Sequence, residues 1–368
     1  MATKPKVLIF GAGGIGTEVK RQAEDAGFGV VGQFTSRALV ERDGTRHFDT
    51  AGDMDEIIHH VRRLCERERI TLAYAALPSG GDGSVEWSYI ETILSYDAYV
   101  VTAGKSTMAG QFDKAVHCLD RIGTTATVGG GTRILPFLEG WLNRGKPFRI
   151  GLVVNGTMSK ILSDVWRGRG LEAALGEAVR LKYAEPSPDG GAPDPLVVFS
   201  GEVEDVRKKL TIIRHVMFRD TAGIGKPEDI SMVGLDMPYL RHVTAQNSRM
   251  KYVASMGTDD RPLVGLNDGA PGSLSAKLGN IFVRAGFCHI PQGSAMDRWV
   301  PDDGPGNAVN LDQGGFPLIL SGEGAGPDAT VGSMMADTRV FLRQLGSSSQ
   351  AKGMKMSPSL ARVDERIA

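Results

Sequence analysis

The sequence has no surplus of charge of either sign: 42 Lys and Arg stand against 43 Asp and Glu. Without a long run of one sign it lacks the electrostatic footprint of a nucleic-acid binder, and small-molecule partners are expected. Long apolar runs are missing too. Val7-Leu8-Ile9-Phe10 is representative and far shorter than a membrane span. The opening Met1-Ala2-Thr3-Lys4-Pro5-Lys6 leads into it without a signal-peptide core, so cytoplasm is the expected location, away from any membrane. Only three cysteines occur, Cys65, Cys118 and Cys288, none in CxxC spacing. That excludes a disulfide framework and offers no zinc pattern, so no metal site is expected. His117 precedes Cys118 and His289 follows Cys288, a pairing that could activate a thiolate. Adjacent residues on a helix or strand point in different directions, however, so reduced, inert thiols are the expectation. Internal repeats are absent as well.

What is present reads as an ordinary globular chain, 41% hydrophobic and 23% charged. Its 368 residues exceed what one core usually organises, so two domains are expected. Residues 7–10 form a β-favouring run, Gly11-Ala12-Gly13-Gly14-Ile15-Gly16 turns tightly, and 17–26 reads as an amphipathic helix ending before Gly27. Strands at 29–34, 71–76 and 99–102 then alternate with helices at 54–67 and 85–94. A helix near 111–121, a short strand near 124–128 and a helix from 134 continue the pattern. Such alternation implies a parallel sheet with right-handed crossovers. From residue 148 the character changes: a strand over 149–154, helices over 158–168 and 171–181, a Pro/Gly/Asp loop over 187–195, and helix again over 204–218. The 48 glycines are about twice the usual share, and many fall between Gly257 and Gly332, which suggests a sheet with several turns.

The Gly11, Gly13, Gly16 spacing matches the dinucleotide fingerprint, with Gly14 and Ile15 inside the turn. Alone it is a weak signal; between a strand and a helix at the start of an alternating chain it is a specific one. The helix N-terminus would offer N–H groups and partial positive charge to a diphosphate. At the end of the second strand, Gln33-Phe34-Thr35-Ser36-Arg37 carries no acid for a ribose hydroxyl. Ser36 and Arg37 suit a 2′-phosphate, so NADP is expected, with NAD and a merely solvated Arg37 as the alternative. The fold class is therefore α/β: a Rossmann-type nucleotide-binding domain over 1–147, and an α+β substrate and dimerisation domain over 148–317. A segment over 318–345 returns to the first domain, and a flexible C-terminal tail covers 346–368.

Several stretches together resemble homoserine dehydrogenase. Val100-Val101-Thr102-Ala103-Gly104-Lys105 is similar to that family's V-V-T-A-N-K, and Val128-Gly129-Gly130-Gly131 to its V-G-G-G. Gly151-Leu152-Val153-Val154-Asn155-Gly156-Thr157 resembles G-I-V-N-G-T, and Tyr183-Ala184-Glu185-Pro186-Ser187-Pro188 resembles Y-A-E-P-D-P. Asp205 to Leu210 is similar to D-x-x-x-K-L, and Gly322 to Thr330 to G-x-G-A-G-x-x-P-T. The likeness runs from residue 7 to 345 and leaves no stretch for a regulatory ACT domain. It implies an NAD(P)-dependent oxidoreductase of amino-acid biosynthesis, interconverting L-homoserine and L-aspartate 4-semialdehyde as a homodimer. It also implies roles: Lys105 and Lys209 catalytic; Glu185, Asp205, Asn155, Thr157 and Ser200 at the substrate; Thr102, Lys105, Gly324 and Ala325 at the cofactor. Asp205 and Lys209 share a helix face at i, i+4, so the carboxylate can orient the ammonium. Taken alone, that pair reads equally as a surface salt bridge, and Asn-Gly-Thr as ordinary turn chemistry.

Departures bear on the substrate. Extra residues stand between Pro188 and Asp205, and Val198-Phe199-Ser200-Gly201 replaces D-L-S-G, so Val198 stands where the family has an aspartate. Thr125 stands where the family has a cation-ligating glutamate. Gly104 replaces the asparagine before the lysine, which would loosen that turn. A related enzyme acting on another small hydroxy or amino acid is thus a rival, and a non-catalytic NADP-binding sensor is another. Turnover separates the two. The apolar stretches over 212–256 are the expected dimer surface.

Overall fold

In the computed structural model the described residues are 4–41, 44–48, 53–78, 80–142, 145, 149–184, 190–245, 248–261, 263, 265–312 and 317–351. They fall into two compact units, one of residues 1–127 with 330–368 and one of residues 128–329.

The first unit begins with β1 (Lys6–Phe10) and α1 (Gly14–Asp25), followed by β2 (Gly29–Phe34), β3 (Ala38–Glu41) and β4 (Gly44–His47). Then come α2 (Met54–Glu68), β5 (Leu72–Ala75), α3 (Ser84–Leu94), β6 (Tyr99–Thr102), α4 (Lys105–Gly110), α5 (Phe112–Ala115) and β7 (Ile122–Gly123). The sheet order is β4-β3-β2-β1-β5-β6-β7. β2, β1, β5, β6 and β7 run parallel, as βαβ crossovers require, whereas β3 and β4 add an antiparallel hairpin. Strands covered on both faces read as continuous apolar runs, and Val7, Leu8 and Ile9 of β1 are wholly buried. α1 presents Gly16, Val19 and Ala23 to this core at helical spacing.

The second unit contains α6 (Ile134–Leu142), β8 (Arg149–Val153), α7 (Gly156–Trp166), α8 (Leu171–Arg180) and α9 (Pro195–Ala222). β9 (Ser231–Met232), α10 (Met237–Ala245), β10 (Met250–Gly257), β11 (Leu274–Leu278), β12 (Ile281–His289), β13 (Gly306–Asp312) and β14 (Leu318–Glu323) follow. Its sheet, ordered β14-β13-β8-β10-β12-β11-β9, is antiparallel at every pairing. The chain then re-enters the first unit through α11 (Pro327–Ala351). There Tyr74 Oη and Thr338 Oγ1 lie 3.0 Å apart, and the Asp337 carboxylate accepts from Thr125 N at 3.0 Å and Thr125 Oγ1 at 2.6 Å. Val331 and Met334 of α11 join Val7 and Ile9 in one core.

Several elements differ from the sequence expectations. The units divide at 127/128 and 329/330 rather than at 147/148 and 317/318. α6 belongs with the second unit, and residues 318–323 form β14 of its sheet before the chain returns. Residues 346–351 of the expected tail continue α11, and 352–368 lie outside the described residues. The helix expected over 111–121 is broken into α5 and a 3-10 turn at Leu119–Arg121. α9 starts nine residues earlier than expected, because Asp194 caps it by accepting from Leu196 N at 2.8 Å and Pro195 takes its first turn. Most of the apolar content of 212–256 is core: Ile212, Ile213 and Met217 of α9 are buried, and all of β10 is buried at the centre of its sheet. Among the described residues no helix is long and apolar enough to cross a membrane.

Candidate active site

The glycines after β1 divide by what surrounds them. Gly11 has φ +110°, and a Cβ there would strike the Ala76 carbonyl. A Cβ on Gly16 would strike the Gly11 carbonyl. Both are demanded by the protein's own packing. Gly13 is not: a Cβ there meets nothing within 4 Å. Its φ of −70° is open to any residue. The bare position lies just before Gly14, the first residue of α1, where N–H groups are unpaired. That is the space a diphosphate would need, so these residues fit a dinucleotide. Ile15 is partly buried, its side chain packed against the core. The buried Gln33 carboxamide donates to the Gly11 carbonyl at 3.0 Å and ties the turn to β2, a role its polar character concealed in the sequence. Ser36 and Arg37 are exposed just beyond β2, where Thr35 Oγ1 accepts from Arg37 N at 3.0 Å and Ala38 N at 2.9 Å.

Lys105 opens α4 at the C-terminal end of β6, the edge where parallel sheets bind ligands. Thr102 is buried with its hydroxyl turned inward, accepting from Gly104 N at 2.7 Å and donating to Glu86. Contact between Thr102 and a cofactor would therefore use its backbone. Gly104 does not loosen this turn. Its φ of −74° and ψ of 101° suit any residue, but a Cβ there would collide with the Glu86 carboxyl. Burial pushes the Glu86 acid above the usual carboxyl range, against hydrogen bonds from Thr102 and Thr107 and the charge of Lys105.

In the second unit, Lys209 is buried on α9. Its Nζ lies 2.7 Å from Asp205 Oδ2 and donates to the Val154 carbonyl at 2.6 Å, so a helical pair and a strand end together fix its direction. Asn155 caps α7, its Oδ1 accepting from Met158 N at 2.8 Å. Its Nδ2 donates to Asp205 Oδ2 at 3.0 Å and to Glu202 Oε2 at 2.6 Å. Glu202 is the carboxylate the motifs missed; its spacing of i, i+3 and i, i+7 to Asp205 and Lys209 was the available signal. Thr157 Oγ1 donates to the Tyr183 carbonyl at 2.7 Å, two residues before Glu185 in sequence, and Glu185 itself lies outside the described residues.

Other expected residues stand apart. Ser200 is about 140° from Asp205 around the same helix, so α9 turns it away from this cluster. Gly324 and Ala325 are small because of their own unit. A Cβ on Gly324 would meet the Asn307 carboxamide, and one on Gly156 would lie 2.9 Å from Gly324 C and 3.0 Å from Ala325 Cβ. Among the described residues the buried Asn307 amide has no hydrogen-bond partner, a polar group that no motif marked. Burial raises all three thiols, Cys65 to about 12 and Cys288 to about 11. Such thiols are poor nucleophiles.

The family model for homoserine dehydrogenase matches residues 145–338. The chain is 25% identical over 312 residues to the chloroplastic bifunctional aspartokinase/homoserine dehydrogenase 1 of Zea mays, which covers 81% of the chain and 32% of that protein. It thus spans about a third of that curated relative's length. A putative homoserine dehydrogenase structure from Archaeoglobus fulgidus superposes with a TM-score of 0.64 at 19% identity, over 91% of this chain and 98% of that one. A hyperthermophilic archaeal homoserine dehydrogenase in complex with NADPH superposes with a TM-score of 0.57 at 17% identity, over 91% and 97%. At such identities the likeness shows the fold. The family match extends over just over half of the 368 residues and takes in the Lys209 cluster with α7 and α9, so the chain belongs to the homoserine dehydrogenase family.

Proposed function

We propose that the protein is an NADP-dependent oxidoreductase interconverting L-homoserine and L-aspartate 4-semialdehyde, with Lys209 as its acid and base. The observation that carries this reading is the buried Lys209 held between Asp205 and the Val154 carbonyl. These two acceptors leave the third tetrahedral direction of Nζ for a substrate oxygen. In the amine form Lys209 takes the hydroxyl proton on oxidation; in the ammonium form it returns a proton to the carbonyl oxygen on reduction. Asp205 keeps the nitrogen aimed, and Asn155 in turn holds Asp205. When bound, NADP supplies the hydride acceptor, or the donor in reverse. Gly13, Gly14 and the backbone of Ile15 would hold its diphosphate, and Ser36 and Arg37 its 2′-phosphate, with NAD as the alternative. Lys105, at the sheet edge, is assigned the second cation of the reaction.

Supporting the substrate reading, Glu202 and Asp205 put negative charge beside Asn155, which suits a substrate carrying an ammonium group. The absence of a carboxylate at Val198 favours a second reading, a different small hydroxy or amino acid. The test is NADPH oxidation by the purified protein with L-aspartate 4-semialdehyde, followed by a panel of small aldehydes. Consumption with the semialdehyde supports the first reading, and consumption only with another aldehyde supports the second. Tight NADPH binding without turnover of any aldehyde would sink both and leave the sensor.

A further inference from the structure

A hydroxyl has one proton to give, and counting protons at the Lys105 corner decides the state of a buried acid. Gly104 N donates to Thr102 Oγ1 at 2.7 Å, so the Thr102 proton goes to Glu86 Oε1. On the other side, Thr107 Oγ1 lies 3.1 Å from Glu86 Oε2 and 3.2 Å from the Gly83 carbonyl. A carbonyl only accepts. Were Glu86 ionised, Thr107 would face two acceptors with one proton, and a buried carboxylate would be left short of a donor. With the proton on Oε2, every group has a partner. The donors then run one way, from Gly104 N through Thr102, Glu86 and Thr107 to the Gly83 carbonyl. Glu86 is 5% exposed, consistent with an uncharged group.

The same carboxyl fills the space beside Gly104 that any side chain at that position would need. Close approach continues on both sides. A Cβ on Gly83 would strike Thr107, one on Gly110 would strike Asp82, and Gln111 Nε2 donates to the Asp82 carbonyl at 3.1 Å. Residues before and after Lys105 are thus pinned to the start of α3. We propose that Glu86 is a positioning residue for Lys105, a neutral carboxylic acid that closes this one-way chain and fills the space a side chain at position 104 would take. The proposal rests on Lys105 serving the reaction assigned above.

Its test uses the full-length protein and four variants. The infrared difference spectrum of wild type minus Glu86→Gln, near neutral pH, should show the C=O stretch of a protonated acid. A carboxamide donates and accepts as a neutral acid does, so Glu86→Gln should keep kcat, the aldehyde KM and Tm. Glu86→Ala should lower kcat by about 10²-fold, the scale of a ~1 Å misplacement of a reacting group, with little change in NADPH affinity. Gly104→Asn alone should collide with Glu86 and be damaged, while Glu86→Ala combined with Gly104→Asn should regain most of the rate and of the Tm. A carboxylate band only, Glu86→Gln as damaged as Glu86→Ala, or a double variant no better than Glu86→Ala would each overturn the proposal. The infrared and Tm readings need no turnover. A protein that reduces no aldehyde yet shows the acid band and the Tm rescue would refute the proposed reaction and leave the neutral acid standing.

Discussion

Lys209 donates to the Val154 carbonyl and pairs with Asp205 from a buried position, so its removal has two consequences that separate cleanly. Lys209→Met keeps the aliphatic stem and loses the ammonium. If Lys209 moves the proton, kcat should fall by ~10²–10⁴-fold while NADPH affinity stays near wild type, since the residue lies in the second unit. Steady-state kinetics beside NADPH fluorescence titration check this, and near-normal kcat would shift the acid/base role to Lys105. Asp205→Asn should show a smaller loss of the same kind. Gly13 allows a matching test on the cofactor side. Because a Cβ there meets nothing, Gly13→Val should fold with an unchanged Tm and yet bind NADPH at least about tenfold more weakly. Unchanged affinity in the folded variant would remove the diphosphate from this turn. The motif spacing marked three glycines alike; the neighbouring atoms divide them into two that the fold needs and one, Gly13, that it leaves unconstrained.

At the scale of elements, β10 carries an unexpected burden. Lys251, wholly buried in that central strand, points Nζ at Ser163 Oγ, 2.6 Å away, and at the Ser159 carbonyl, 3.2 Å away, both on α7. Burial, with Arg249 nearby, brings its pKa down from 10.5 to about 7, against the pull of Asp302 and Asp303. In the unfolded chain it would hold its proton up to about 10.5. Between those values the unfolded state binds more protons, so this residue makes stability rise with pH, and its contribution is lost as pH falls through about 7. Urea unfolding of wild type and Lys251→Met should therefore show a stability difference that moves in favour of wild type from pH 7 to 10. A difference independent of pH would mean that the ammonium is tolerated in the strand. Legibility varied among the elements. β1 and β5 stand out in the sequence as unbroken apolar runs because both faces are covered. The β3 and β4 hairpin does not, since every residue of β4 is exposed and no periodicity marks it. α9 begins nine residues before its expected start because the Asp194 and Pro195 that open it sit in a stretch whose composition reads as loop, although its buried face already includes Phe199 and Val203.

For the whole molecule, we propose a homodimer, as the family resemblance implies, but not through the surface its sequence suggested. The apolar residues of 212–256 are largely spent on the core. The exposed edge strand β14, with Leu318 38% and Ile319 41% exposed, is the better place for strands of two copies to join. Sedimentation should give a dimer at micromolar concentration, and Ile319→Lys should shift it towards monomer without lowering Tm by more than a few degrees. A monomeric wild-type protein would end the proposal. Local chemistry written in short range was open to reading from the chain alone: the strand, glycine turn and helix at the start, and the i, i+4 pairing of Asp205 with Lys209. Each depends on residues within a few turns of one another, where backbone periodicity dictates direction. What needed the tertiary structure was every relation between distant segments. The Val154 carbonyl under Lys209, Glu202 against Asn155, Glu86 beneath Gly104 and Lys251 beneath α7 are contacts across tens of residues, made by sheet order and helix packing that no local pattern encodes.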